Sequence, residues 1–108
     1  MEIINIDYLK KIEIKVGTVT AAERLDKSEK LLKLTVDFGI ETRTILSGIA
    51  KQYDPQALIG KQLPFITNLE EREMMGLKSQ GMLFAVDGSS GPVLLLPDKA
   101  VDNGSSVI

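Results

Sequence analysis

A small all-β barrel with two short helices is the fold this 108-residue sequence predicts, on three observations. Apolar and polar residues alternate with period two in several short stretches, as strands with one buried face require. Glycine-bearing turn signals punctuate those stretches. One short helical signal falls between the third and fourth of them.

The elements follow in order. Asp7 is an N-cap candidate, and Tyr8, Leu9 and Ile12 share a helical face, which predicts a short helix over residues 6–12. Ile12, Ile14 and Val16 then alternate with Glu13 and Lys15, and Val19 follows Gly17, predicting a long first strand bent at Gly17. Residues 23–29 are polar and read as a loop. Leu32, Leu34 and Val36 alternate with Lys33, Thr35 and Asp37 in a second strand. A third spans Thr42 to Ile49, after a hairpin turn at Gly39. Asp54-Pro55 is an N-cap followed by proline at the first helical position, and this helix stops at Gly60. Leu63 to Leu69 is the fourth strand and Met82 to Val86 the fifth. The turn Asp87-Gly88-Ser89-Ser90-Gly91 and the apolar run Val93 to Leu96 form a C-terminal β extension. Five strands with a helix between the third and fourth is the order of an OB-fold; another small barrel or an irregular sandwich are the alternatives.

Composition narrows the function. The length suits one domain covering residues 1–108, and 44% hydrophobic content is enough for a packed core. There is no apolar run of about 18 to 20 residues and no signal-peptide pattern, so a soluble, cytoplasmic protein with no membrane partner is expected. The chain has no Cys and no His, which excludes thiolate zinc sites, disulfides, imidazole ligation and Cys or His nucleophiles. No phosphate-loop motif and no cofactor fingerprint is present, so no cofactor and no enzymatic activity are expected. The run Glu70-Glu71-Arg72-Glu73 reads as a solvated loop rather than an acid–base pair.

Charge is unevenly spread. Residues 1–61 hold ten Lys or Arg against nine Asp or Glu, and residues 62–108 hold three against six, within a net charge of −2. Lys27, Lys30 and Lys33, with Arg24 and Lys51, form a local basic face on this reading; ordinary surface lysines are the competing one. Asn68, at the end of the fourth strand, has an amide able to pair with a base edge or, equally, to cap the strand. The segment Met74 to Met82 carries Lys78, Ser79 and Gln80 between Gly76 and Gly81. It reads either as a loop able to approach a sugar–phosphate chain or as a β-turn with Met75 and Met82 in the core. Aromatic residues make up only 5% of the chain, against the stacking platforms of single-strand binders, so an RNA ligand would be a folded one read by shape.

Several segments together resemble a known family: Ile14-Lys15-Val16-Gly17-Thr18-Val19, Ser28 to Gly39, Arg43-Thr44-Ile45-Leu46-Ser47-Gly48-Ile49-Ala50, Asn68-Leu69 and Gly76 to Met82. The family is the tRNA-binding domain found as small structure-specific tRNA-binding proteins and fused to the C terminus of methionyl-tRNA synthetases. It includes a secretion-associated chaperone branch. The resemblance covers residues 5–108. It implies an OB-fold homodimer that binds tRNA without catalysis, alone or beside a methionyl-tRNA synthetase. The RNA-facing positions it implies are Lys30, Lys33, Asn68, Lys78, Ser79 and Met82. It also implies dimerisation through residues 3–9 and 93–108, which the consecutive apolar residues Val93-Leu94-Leu95-Leu96 suit. This sequence has Lys15 where the family pattern has Arg, and acidic residues at 70–73 where the pattern is basic. An affinity below the family norm is therefore expected. The alternative from the same family is a peptide-binding chaperone using Met74, Met75 and Met82 as an adaptable surface.

Overall fold

The computed structural model describes residues 1–108 and is all-β with two short helices. The chain runs α1 (Ile6–Leu9), β1 (Ile14–Arg24), β2 (Leu32–Asp37), β3 (Thr42–Ser47), α2 (Pro55–Leu58), β4 (Gln62–Ile66), β5 (Arg72–Met74), β6 (Leu77–Ser79), β7 (Met82–Leu83), β8 (Ala85–Gly88) and β9 (Gly91–Leu94). Strands β3-β2-β1-β4-β7 make one antiparallel sheet, curled into an OB-like half-barrel, and β5-β6 and β8-β9 are separate two-stranded ribbons.

Period-two patterning sets the inside. Leu32, Leu34 and Val36 are fully buried while Lys33, Thr35 and Asp37 between them are half-exposed. They join Val19, Phe38, Ile45, Leu58, Leu63, Phe65 and Leu83 in the core, where Phe38 and Phe65 meet edge to face at 5.6 Å. Helix α2 is capped by Asp54, whose side chain accepts from Gln56 N–H, and it seats Leu58 in the core. Just beyond it, the Lys61 carbonyl and the Gly60 N–H pair with Val19.

Boundaries depart from expectation where a side chain outcompetes pattern. The N-cap of α1 is Asn5, not Asp7, because the Asn5 carboxamide accepts from Tyr8 N–H at 2.8 Å; α1 then ends after one turn. The irregularity in β1 lies between Val19 and Ala21 rather than at Gly17. Gly17 is needed for space instead: a Cβ there would sit 2.5 Å from Val36 Cγ1. The fifth predicted strand splits into β7 and β8 at Phe84, whose N–H keeps the β4 register by donating to the Pro64 carbonyl while proline has no N–H to return the bond. The C-terminal residues add themselves to β1: Ser105 and Ile14 carbonyls, with Gly104 and Val107 N–H groups, bond along the edge of β1 where β2 is not paired. No helix is long and apolar enough to cross a membrane.

Candidate nucleic-acid interface

The turn before α2 gathers part of the basic face. Ala50 N–H donates to the Lys30 carbonyl at 2.9 Å, and Arg24 Nη1 donates to the Ala50 carbonyl at 3.0 Å. Arg24, Lys30 and Lys51 therefore converge from three separate parts of the sequence. Lys33 is outward on β2, opposite Leu46 of β3, with its Nζ 3.6 Å from Glu23. Glu23 is exposed and Lys33 half-exposed, so the pair is weak and Lys33 remains available to an anion.

The segment after β5 then closes the barrel along the free edge of β3. Gln80 N–H donates to the Thr44 carbonyl, and the Gln80 side-chain oxygen accepts from Thr44 N–H at 3.0 Å, so one residue supplies both halves of a strand pair. Ser79 Oγ accepts from Leu46 N–H and donates to the Gly81 carbonyl, each at 3.0 Å. Arg43 locks the other end: Nη1 donates to the Thr67 and Gln80 carbonyls at 2.6 and 3.1 Å, while Nε and Nη2 grip Glu41 in a fork. The hydrogen bond to Arg43 holds the Glu41 carboxyl below its ordinary value, against the opposing effect of desolvation and with the Arg43 and Lys15 charges adding to it. The same bond raises the Arg43 guanidinium above its usual value.

Contacts at Gln80–Thr44 and Ser79–Leu46 run antiparallel, so the β5–β6 hairpin lies beside β3 with its tip toward the Gly48–Lys51 end. Lys78, exposed on that hairpin, lies beside the part of β3 that Lys33 faces from the other side, two strand spacings or roughly 10 Å away. Arg24, Lys30 and Lys51 thus gather at the Ala50 end of the barrel, whereas Lys33, one step along β2 from the core-facing Leu32–Arg24 pair, is on the outer face with Glu23.

Three positions expected from the resemblance fall elsewhere. Ser79 is completely buried, and its hydroxyl closes the barrel; it has no surface to offer RNA. Asn68 is exposed, but its side-chain oxygen accepts from Glu13 N–H at 2.7 Å and its nitrogen donates to the Lys11 carbonyl at 2.6 Å. It straps the segment joining α1 to β1, as a capping residue would. Met82 is half-buried opposite Ile66, itself opposite Ile14, in an apolar row on the outer face of the β1-β4-β7 wall. Nor does Met75 enter the core: it is 49% exposed. Arg43 and Gln80, by contrast, hold the closure through backbone partners that sequence spacing does not reveal. The signal for Arg43 is a cation in an otherwise half-buried, β-prone stretch, where only carbonyl and carboxylate partners can satisfy it.

Ser79→Ala removes the partner of a buried N–H without removing the N–H. Urea unfolding is expected to report a loss of about 1–3 kcal/mol with an unchanged slope.

A curled β half-barrel with a hairpin beside its β3 edge is the architecture of the OB-fold class, small barrels that present a face for oligonucleotides. Residues 14–106 match the family described as "Putative tRNA binding domain". The methionine–tRNA ligase of Bacteroides fragilis is 42% identical over 105 residues, covering 96% of this chain and 16% of the ligase. The chain thus spans about one sixth of the length of the curated relatives it matches. The structure of the MetRS related protein of Pyrococcus horikoshii superposes with a TM-score of 0.94 at 40% identity, over 100% of both chains. That of chaperone CsaA of Bacillus anthracis does so at 0.89 and 28% identity, over 99% of this chain and 100% of the other. The chain belongs to the tRNA-binding domain family related to the C-terminal domain of methionyl-tRNA synthetases.

Proposed function

We propose that this chain binds folded tRNA non-catalytically in the cytoplasm, as a homodimer, and raises the tRNA affinity of a methionyl-tRNA synthetase by holding tRNA nearby. The observation that carries this reading is the convergence of Arg24, Lys30 and Lys51 around Ala50, at the end of the barrel toward which the Lys78-bearing hairpin points, in a chain whose net charge is −2. Local clustering of cations overcomes the long-range repulsion that the overall charge would impose. Lysines on this side contact phosphates; Asn68 and Met82 lie off the basic side and add to binding only where a large folded RNA wraps around to them.

The homodimer rests on the apolar surface. Ile6, Leu9 and Ile12 with Ile14, Val107 and Ile108 line a groove of about 470 Å³, and Phe84, Leu95 and Leu96 continue the exposed apolar face. A second copy covers that face. A chain of 11.8 kDa is then expected to run near twice that mass in solution; a mass near 12 kDa removes the dimer.

A peptide-binding chaperone is the second reading, favoured by the likeness to the Bacillus anthracis chaperone and by the same apolar face. Competition separates the two. Labelled tRNA is expected to be displaced by unlabelled tRNA and not by reduced, unfolded polypeptide; displacement by polypeptide alone would favour the chaperone.

A further inference from the structure

The turn between β5 and β6 is built against its own residue preference. Met75 (φ 53°) and Gly76 (φ 78°) both occupy the left-handed region between the paired residues Met74 and Leu77. Two central residues with positive φ define the mirror-image hairpin turn that favours Asn-Gly or Asp-Gly. Glycine meets that demand at the second position. At the first stands a methionine, the only residue other than glycine with positive φ in the chain.

Burial does not account for it. Met75 is 49% exposed and lies outside the core cluster. A long apolar side chain is thus held at a protruding tip, in a conformation that an asparagine would adopt more readily and in a place where an asparagine would be better solvated. Backbone strain and apolar exposure at one residue point to a contact the isolated chain does not make.

Position identifies the partner. The hairpin lies antiparallel to β3, so its tip is directed toward the end of the barrel where Arg24, Lys30 and Lys51 meet. Lys78 is on the same hairpin, with Glu73 opposite it on β5. An exposed apolar tip directed toward that group of cations suits a polyanion that also presents flat, polarisable faces. We propose that Met75 is an RNA contact: its thioether packs against an unstacked base of bound tRNA while the neighbouring lysines hold the phosphates. The proposal rests on the tRNA-binding reading above and deepens it, since a contact of this kind selects RNA that offers an exposed base over a regular duplex.

The test is Met75→Asn, with Met75→Leu as the partner variant. Asparagine suits the turn, so its thermal unfolding midpoint is expected to equal or exceed that of the natural chain. Its affinity for total tRNA, by fluorescence anisotropy, is expected to fall about three- to tenfold, while Met75→Leu keeps most of the affinity. Equal tRNA affinity for the asparagine variant and the natural chain overturns the proposal and leaves the tRNA reading intact. Failure of the natural chain itself to bind tRNA overturns both. Loss of unfolded-polypeptide binding with tRNA binding unchanged assigns the tip to a peptide partner and likewise overturns it.

Discussion

Gly81→Ala is expected to destabilise the protein by more than about 3 kcal/mol, a large share of the roughly 5–15 kcal/mol that holds a small domain folded. The residue has φ 151°, and a Cβ there would lie 2.8 Å from the Ile66 carbonyl oxygen and 3.2 Å from Ile45 Cδ1. The first of these is backbone in a strand, so it has no rotamer to escape into. The Gly81 carbonyl also receives the Ser79 hydroxyl, and Ser79 in turn receives Leu46 N–H. Moving Gly81 therefore opens the closure of the barrel at β3. Urea unfolding checks this: the midpoint should drop sharply. A change within about 0.5 kcal/mol would mean that the close approach is not tight.

The second large effect is on binding. Lys33→Glu with Lys78→Glu is expected to weaken tRNA binding about 100-fold at low salt. Loss of one charge-assisted contact at a half-exposed site costs roughly 0.5–1.5 kcal/mol, reversal adds repulsion from the phosphate, and tenfold corresponds to about 1.4 kcal/mol. Lys33→Glu also sets a carboxylate opposite Glu23, which costs a few tenths of a kcal/mol in stability, so melting must be followed alongside. Binding reduced by less than twofold would place the RNA on another side of the barrel.

The barrel was legible from sequence wherever one face of a strand is buried, because alternation such as Leu32-Lys33-Leu34-Thr35-Val36 has only one sheet orientation that keeps lysine out of the core. Asp54-Pro55 marked α2 for the same local reason, a cap and a preset φ. The β5–β6 hairpin was harder to read, since Arg72-Glu73-Met74 has no apolar face to bury and its pairing is fixed by the turn at Met75-Gly76. The site divides similarly. Lysines at 30, 33 and 78 announce themselves by charge. Ser79 and Asn68 do not declare whether a hydroxyl or amide faces solvent or the protein's own backbone; that depends on Leu46 and Gly81 for one, and on Lys11 and Glu13, 57 and 55 residues away, for the other.

Recognition of folded tRNA by the cations gathered at the Ala50 end of an acidic protein is the proposed function. Its most direct measurement is binding of total tRNA across a salt series, with single-stranded and duplex RNA of equal length as controls. Neutralising about three phosphates predicts a slope of log affinity against log salt of roughly −2 to −3, with tRNA bound more tightly than either control. A slope near zero, or equal binding of all three RNAs, would contradict it.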